Sequence, residues 1–354
     1  MIFGMTTGPD DNLWFTQYLG NQIGRITPTG TITEFSMNTP EVGLSGIAGG
    51  PHDTLWVTEQ LGNKIGRIDI GQLISQSTSA VTPNLTPTTA PLPLGENLTE
   101  FPVSADLSSS MITAGPDGNL WFTTSSSIGR ITPTGTVTQF SLPTDRTDPG
   151  REATGITAGP DGNVWFAESG NQIGRITPTG TVTQFPLPTD QPAIWITAGP
   201  DGNVWFDGFG NHIGRITPTG MITEFPLPTG QDPLGITAGP GGDVWFIGSS
   251  SIGRITPTGT ITQFPLSTSQ VTTGITAGPD GNVWFTATTF IGRITPTGTI
   301  TQFPLPPPES GTLNNDPEEI TTGPDGNLWF TQYVSNQIGR ITPAGKITEF
   351  RMNT

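Results

Sequence analysis

Short runs of alternating apolar and polar residues recur along this chain, separated by stretches rich in glycine, proline, aspartate and threonine. Within residues 155–187 four runs follow one another: GITAG, NVWFA, IGRIT and TVTQFPL. PDGN separates the first two and PTG the last two, and both are typical of tight turns because glycine adopts positive φ without a steric cost. Each copy is therefore predicted to be a four-stranded antiparallel meander of about 40 residues. No helix is predicted anywhere, since no 3.6-residue periodicity is apparent among 48 glycines and 35 prolines.

Two residues mark each copy of this pattern. Eight of the nine tryptophans occupy the same place in the second run, namely Trp14, Trp56, Trp121, Trp165, Trp205, Trp245, Trp284 and Trp329. The third run carries an arginine in the sequence IGRI, at Arg25, Arg67, Arg130, Arg175, Arg215, Arg254, Arg293 and Arg340. A spacing near 40 residues indicates one array of eight units, although the length alone would suggest two or three domains.

The second run is apolar on both faces of the predicted strand. Val164 and Phe166 point to one face while Trp165 and Ala167 point to the other, because side chains alternate along a strand. A further copy on each side covers both faces, and for four-stranded units this arrangement is a β-propeller. We predict an all-β, eight-bladed propeller that closes without strand exchange between the termini, with the tryptophans packed between blades. The predicted blades of this single domain are residues 1–39, 40–104, 105–149, 150–190, 191–230, 231–269, 270–309 and 310–354.

The repeated arginine has two interpretations. Its stem packs between blades while backbone carbonyls or an aspartate hold its guanidinium, or it binds an anionic ligand. Its fixed place in a strand favours the structural interpretation. The aspartate of the PDGN turn is a tempting partner, but His52 and Gly241 replace it in two copies that keep the arginine. We therefore do not expect one Arg–Asp pair common to all blades.

The second copy contains the one large departure from the repeat. Residues 70–97 separate its third and fourth runs and are rich in serine, threonine and proline. This composition predicts a long, mobile excursion within blade 2. It is interpreted either as a tolerated insertion or as a docking loop.

Composition and charge exclude several classes of function. The chain has no cysteine, so we expect no disulfide, and we expect no metal and no cofactor. The formal net charge is −16, and the cationic residues outside the IGRI repeats are Lys64, Arg146, Arg151, Lys346 and Arg351. Nucleic acid and membranes are therefore not expected as partners. We expect a monomer, with self-association through the interface of the first and last blades as the alternative.

The start of the sequence, MIFGMTTGPD, has neither a basic segment nor an apolar run. No signal peptide or membrane span is therefore predicted. We expect a soluble protein that is either cytoplasmic or exported as part of a longer chain.

The two ends of each predicted blade differ in how much they vary among copies. The PDGN and PTG turns share one rim and are nearly invariant, whereas the second-to-third-strand loops and the links between blades share the other rim and vary. Repeat proteins usually bind ligands on the varied face, and this acidic, aromatic rim fits a protein, a peptide or a small polar ligand such as a cation or a sugar. The alternative for each candidate is a solvated loop residue. The candidates are Gln17, Tyr18, Glu59, Glu168, Trp195, Asp207, Phe209, His212, Glu318, Glu319 and Tyr333.

The repeat GPDGNVWFAESGNQIGRITPTGTVTQFPLPT, residues 159–189, resembles those of the streptogramin B (virginiamycin B) lyases. The resemblance covers the chain apart from residues 70–97. It implies a seven-bladed propeller that opens a cyclic depsipeptide antibiotic by a magnesium-assisted elimination. It also implies catalytic histidines in PHGI- or PHAI-like segments that enter the first strand, with supporting glutamates nearby.

The chain departs from that family pattern where the chemistry would occur. Imidazole suits the removal of a proton α to the ester carbonyl because it titrates near neutral pH. The two histidines, His52 and His212, match no family position and are predicted to lie on opposite rims. The supporting acids have a partial counterpart in Glu59, Glu168, Glu318 and Glu319, and an eighth blade is expected to widen the channel. The positions where the family's histidines would stand hold Phe3, Ser45, Ser110, Thr154, Ile194, Leu234, Thr273 and Glu318.

We therefore interpret the chain as a non-catalytic propeller, a scaffold or a module that binds a ligand or a protein on the varied rim. One alternative is a streptogramin B lyase, which would require magnesium. The other is a different carboxylate-based chemistry at the mouth of the channel.

Overall fold

Eight antiparallel sheets surround a central channel in this computed structural model. It describes residues 1–40, 42–79, 91–104, 107, 111–143, 152–189, 191–228, 232–266, 271–307 and 316–352. Each sheet contains a meander of four strands whose first strand is the innermost, and the sheet of blade 1 has one additional short strand, so the molecule is an eight-bladed β-propeller. The predicted fold class is confirmed.

The strands of the first four blades follow the chain with one interruption. Blade 1 comprises β1 (Ile2–Thr7), β2 (Leu13–Gln17), β3 (Gln22–Ile26) and β4 (Ile32–Ser36). Blade 2 comprises β5 (Leu44–Gly50), β6 (Thr54–Glu59), β7 (Lys64–Asp69) and β9 (Leu98–Pro102). Blade 3 comprises β10 (Ile112–Ala114), β11 (Leu120–Thr123), β12 (Ser127–Ile131) and β13 (Val137–Ser141). Blade 4 comprises β14 (Ala153–Ala158), β15 (Val164–Glu168), β16 (Gln172–Ile176) and β17 (Val182–Pro186).

The strands of the other four blades are consecutive throughout. Blade 5 comprises β18 (Ala193–Ala198), β19 (Val204–Gly208), β20 (His212–Ile216) and β21 (Ile222–Pro226). Blade 6 comprises β22 (Pro233–Ala238), β23 (Val244–Gly248), β24 (Ser251–Ile255) and β25 (Ile261–Pro265). Blade 7 comprises β26 (Thr272–Ala277), β27 (Val283–Ala287), β28 (Phe290–Ile294) and β29 (Ile300–Pro304). Blade 8 comprises β30 (Pro317–Thr322), β31 (Leu328–Gln332), β32 (Gln337–Ile341) and β33 (Ile347–Arg351).

The tryptophan and arginine of each repeat lie side by side in adjacent strands. In blade 4, Trp165 pairs with Arg175 across β15 and β16, and its ring stacks on Phe185 with centroids 5.7 Å apart. The guanidinium carbon of Arg175 lies 5.5 Å from the centroid of the tryptophan ring, within the range of a cation–π contact. On the opposite face, a Cβ at Gly174 would come within 2.1 Å of the Phe166 ring. The glycine of IGRI therefore makes room for the phenylalanine of the strand beside it.

Eight hydrophobic clusters hold the ring together, and each joins one blade to the next. In the cluster between blades 4 and 5, Trp165 packs against Ala193, Val204 and Phe206. All eight repeated tryptophans have an exposed fraction of at most 1%. The two apolar faces of each sheet are thus covered by the neighbouring blades, which is the dominant source of stability for such a repeat.

Backbone carbonyls of the next blade hold the repeated arginines. Arg175 donates from Nη1 to the carbonyl oxygen of Pro218 at 2.6 Å, and Arg67, Arg130, Arg215, Arg254, Arg293 and Arg340 make the equivalent bond. Arg25 faces blade 2, which lacks this PTG turn, and lies 3.7 Å from Asp10 instead. The turn aspartate mainly serves the tryptophan, since Trp165 donates from Nε1 to Asp161 at 2.9 Å. Longer Arg–Asp contacts occur in blades 6 and 7 as well.

The interface between blades 8 and 1 repeats the other interfaces without exchanging a strand. Trp329 and Ile338 of blade 8 pack against Leu13 and Phe15 of blade 1. Arg340 donates to the carbonyl of Pro28, as its equivalents do elsewhere in the ring. We call this interface the seam.

The seam is expected to be the first interface to open, because no segment in the described part of the chain crosses it. Arg340→Ala removes a charge-assisted hydrogen bond, which typically contributes about 1.5–3 kcal/mol. We expect native-state hydrogen exchange to accelerate in β1 and β33. The matched variant Arg175→Ala acts at an interface that the chain crosses, and it should accelerate exchange less. Equal acceleration in the two variants would contradict a weaker seam.

The insertion in blade 2 differs from its prediction, and the expectation that no helix occurs is wrong. Residues Ile70–Ser79 form helix α1, and Leu92–Pro93 form β8, which adds to blade 1 beside β4 in parallel. Asp69 accepts the backbone N–H of Gln72 at 3.1 Å and so caps the start of α1. Ile70, Leu73 and Leu94 are buried in the cluster between blades 1 and 2.

The rest of the insertion includes a short 3₁₀-helix at Gly95–Asn97, and a second such helix lies at Pro240–Gly242. Residues 80–90 of the insertion lie outside the described part of the chain. Among the described helices, none has both the length and the apolar character needed to span a bilayer.

Candidate functional site

The mouth of the channel on the varied rim contains two cavities. The larger has a volume of about 820 Å³ and is lined by blades 1 to 5 together with Glu319, and the smaller has about 400 Å³ and is lined mainly by blades 6 to 8. Phe3, Trp195 and Glu319 line both cavities. We call the two cavities the larger and smaller lobes, and these three residues the junction.

An irregularity in the inner strands determines which side chains reach the mouth. In β18 the pairing with β19 shifts between Ala193 and Ile196, so strict alternation is lost there. A Cβ at the equivalent Gly155 would come within 2.7 Å of the carbonyl of Ile194, because the inner strand of the next blade lies close. The residues at this position are Gly4, Gly46, Met111, Gly155, Trp195, Gly235, Gly274 and Glu319. Where the residue is not glycine, the inner strand packs less closely against the next blade.

A buried carboxyl group supports Trp195. The backbone N–H of Trp195 donates to Oδ1 of Asp207 at 2.9 Å, while Trp195 itself remains 43% exposed at the mouth. Asp207 is fully buried, and this burial raises the pKa of its carboxyl group to about 7. In blade 1 the equivalent residue is Thr16, which accepts the N–H of Gly4 and donates to the carbonyl of Ser45. Asp207 thus takes the structural place of a threonine behind the mouth.

Glu318 and Glu319 provide the acidic part of the mouth. Glu319 lies inside the channel, where water reaches it although protein surrounds it, and the backbone N–H of Met5 across the seam favours its ionised form. Desolvation raises the pKa of Glu319 to about 8, and the negative charge of Glu318 contributes to this increase. Desolvation, and secondly Asp316, raise the pKa of Glu318.

Tyr18 and Phe3 form the aromatic wall of the larger lobe in blade 1. Their ring centroids are 5.2 Å apart, and the backbone N–H of Tyr18 donates to the carbonyl of Met1 at 2.9 Å. The exposed fractions of Phe3 and the adjoining Leu19 are 45% and 71%. The larger lobe is therefore mostly apolar, with aromatic groups at its edge.

Three of the candidates predicted from the sequence are not at the mouth. Each is buried and is the last residue of the second strand of its blade. Gln17 donates to Glu34 at 2.8 Å, and Glu168 accepts from Gln184 at 2.9 Å. Glu59 is fully buried, and neither of its carboxylate oxygens has a hydrogen-bond partner. Desolvation, with a contribution from Glu100, raises the pKa of Glu59 to about 7. Gln17 and Glu168 thus connect the second strand of a blade to its fourth.

Phe209, His212 and Tyr333 also lie outside both lobes. Phe209 is 53% exposed at the tip of the loop between β19 and β20. His212 is buried, with Nε2 2.7 Å from the hydroxyl of Thr189 and Nδ1 2.6 Å from the carbonyl of Gly210. Tyr333 follows β31, and its N–H donates to the carbonyl of Asp316. His52 lies in the turn between β5 and β6, on the opposite rim.

Several residues that line the mouth were not among the candidates predicted from the sequence, notably Phe3, Met111 and Leu234. A signal for them existed in the repeat itself. Met111 replaces the usual glycine of the inner strand, and Phe3 and Leu234 are large where most other copies have serine or threonine.

Comparison with known proteins decides the family. The sequence model that describes the virginiamycin B lyase family matches residues 1–95, 81–273 and 249–354 of this chain. The chain belongs to the virginiamycin B lyase family. A solved streptogramin B lyase is 29% identical over 98% of this chain and 93% of its own, with a TM-score of 0.63. The catalytically inactive virginiamycin B lyase from Staphylococcus aureus, solved with quinupristin, is 34% identical over 81% of this chain and 91% of its own, with a TM-score of 0.63.

Propellers outside the virginiamycin B lyase family share the fold. Dihydro-heme d1 dehydrogenase NirN has a TM-score of 0.71 over 99% of this chain and 75% of its own, at 11% identity. At that identity the likeness concerns the fold alone. No curated protein matches the sequence.

The magnesium implied by the virginiamycin B lyase family does not fit the residues at this mouth. Among the described residues, no group of three or more histidine, aspartate or glutamate side chains is placed to hold a metal ion. Glu318 and Glu319 are the only carboxyl groups among the described residues that line the mouth, and two carboxylates alone do not make up such a group. We therefore derive no step of an elimination through a metal ion.

Proposed function

We propose that this member of the virginiamycin B lyase family is a non-catalytic propeller that binds a ligand at the mouth of its channel on the varied rim. The observation that carries the proposal is the larger lobe, whose volume of about 820 Å³ lies in the usual range of small-molecule sites. Phe3, Tyr18 and Trp195 present aromatic surface there, and Glu319 presents a polar group. A mostly apolar concavity with few polar groups is the common form of a ligand site.

Family membership favours a second candidate, a lyase that opens streptogramin B. This candidate needs a base close to the ester, and the chain's two histidines stand elsewhere. His212 is buried beside Thr189, and His52 lies on the opposite rim. These placements support the binding function over the lyase.

Trp195 provides a built-in probe of the proposed site, because the other eight tryptophans are buried. We expect a compound that occupies the mouth to protect Trp195 from quenching by acrylamide and to shift its emission to the blue. The measurement uses a panel of sugars, peptides and organic ions at fixed protein concentration. Trp195→Phe should abolish the signal, whereas Phe209→Ala should not, since Phe209 is exposed on the same blade but lies outside both lobes.

Two results would contradict the proposed function. One is a panel in which no compound protects Trp195. The other is conversion of a streptogramin B, incubated with magnesium, to the linear product detected by mass spectrometry.

A further inference from the structure

The two lobes of the mouth differ in chemistry. In the larger lobe the side chains of Leu19, Ile47, Met111 and Ile112 supply apolar surface. The smaller lobe contains the carboxyl groups of Glu318 and Glu319. A ligand that fills both lobes therefore meets apolar groups on one side and negative charge on the other.

The junction brings two aromatic rings and a carboxylate to the boundary between the lobes. Phe3 belongs to blade 1 and Trp195 to blade 5, which stand on opposite sides of an eight-membered ring. Both residues are partly exposed, at 45% and 43%, so part of each is accessible to a ligand. Among the described residues lining the lobes, none is lysine, arginine or histidine, and the amino group of Met1 in the larger lobe donates to Asn336.

We infer that the junction binds an organic ammonium ion whose apolar body occupies the larger lobe. This inference rests on the proposed function of the mouth as a ligand site. The ammonium group lies against the faces of Phe3 and Trp195 and beside the carboxylate of Glu319. Aromatic faces carry negative partial charge, and a nearby carboxylate adds to the attraction for a cation.

Other classes of ligand fit less well. A bare divalent ion needs several oxygen ligands, and no group of three acidic or histidine side chains is available among the described residues. An anion is repelled by Glu318 and Glu319 and by the formal net charge of −16. A weakly hydrated organic cation loses little solvation energy when it enters an aromatic, mostly apolar cavity.

The test compares three compounds of similar size and different charge. Benzyltrimethylammonium is the cation, neopentylbenzene its uncharged isostere and benzylsulfonate the anion. Binding to the full chain is measured by protection of Trp195 from acrylamide, and the cation is also titrated by calorimetry. At pH 9, where Glu319 is ionised, we expect the cation to bind at least tenfold more tightly than the uncharged isostere, and the anion to bind most weakly.

Two variants separate the charge from the cavity. At pH 9, where Glu319 is ionised, Glu319→Gln removes the charge and keeps the size of the side chain, so it should weaken binding of the cation about tenfold and leave the uncharged compound unaffected. Trp195→Ala removes the fluorescent probe, so binding of both compounds to this variant is measured by calorimetry, and both should bind more weakly. Phe209→Ala should change neither.

The pH dependence gives an independent measurement. A proton on Glu319 competes with the cation, so affinity should rise as the pH increases through about 8 and then level off. The charge of Glu318 acts on Glu319 and that of Asp316 acts on Glu318, while Met1, whose amino group donates to Asn336, lines the larger lobe. β26 and β31 place Thr273 and Thr331 beside it, and neither side chain titrates. Glu319→Gln should remove the dependence near pH 8.

The outcomes distinguish this inference from the proposed function. Equal affinity for the cation and its uncharged isostere, or tighter binding of the anion, would overturn the ammonium site while leaving the mouth as a ligand site. Failure of all three compounds to protect Trp195 would also overturn the ammonium site. The proposed function itself would be contradicted only if no compound in the panel protected Trp195, or if the protein linearised a streptogramin B.

Discussion

Replacing Trp165 by alanine is expected to lower the free energy of unfolding by about 3–5 kcal/mol. Trp165 is fully buried between blades 4 and 5, where it packs against Val204 and Phe206. Its removal also leaves Asp161 without the indole N–H and Arg175 without a ring beneath it. Denaturation by urea, followed by circular dichroism, measures the loss.

The control for this prediction is Trp195→Ala, which removes the same side chain from the mouth. Because the indole of Trp195 is 43% exposed and its backbone holds the bond to Asp207, we expect a change within about 0.5 kcal/mol. Similar losses for the two variants would contradict the view that the repeated tryptophans, and not aromatic residues in general, hold the blades together.

Replacing Glu59 by glutamine is expected to stabilise the protein in a pH-dependent way. The pKa of Glu59 is raised from 4.5 to about 7, so the folded state retains a proton that the unfolded chain releases. The stability of the wild-type protein therefore falls as the pH rises from about 4.5 to about 7, and the fall is complete above that range. Glutamine never ionises, so the variant should exceed the wild type by about 2–3 kcal/mol at pH 9 and match it near pH 4. Urea denaturation across this pH range measures the difference.

A reciprocal variant in blade 1 provides the control. Gln17 occupies the position equivalent to Glu59 and donates to Glu34. Gln17→Glu places a second carboxyl group against Glu34, and it should lower stability mainly at neutral and higher pH. A constant difference between Glu59→Gln and the wild type at all pH values would contradict the assignment of the effect to a buried ionisation.

The eight blades were predictable because one signal is repeated eight times. A strand with Trp165 on one face and Phe166 on the other needs cover on both sides, and turns containing PDGN and PTG fix its neighbours. The helix α1 was missed because its serine- and threonine-rich composition resembled a flexible segment. Asp69 and Gln72, at N-cap spacing, and the apolar pair Ile70 and Leu73 are features of the sequence that favour a helix there.

The mouth was harder to predict, because alternation fails where the inner strand is irregular. The shift in β18 turns Trp195 into the channel, and the sequence does not show on which side of an irregular strand a residue lies. Glutamate is usually found on the protein surface, yet Glu59 and Glu168 are buried because the second strand places them in the interior of the blade. The repeat was informative at one point, since Trp195, Met111 and Glu319 stand where five copies have glycine.

Crystals grown with (4-bromobenzyl)trimethylammonium test the binding mode at the junction most directly. We expect an anomalous peak for bromine within the larger lobe, and density for the ammonium group between Phe3, Trp195 and Glu319. A bromine peak outside both lobes, or an empty mouth at a concentration that saturates the protein in solution, would contradict it.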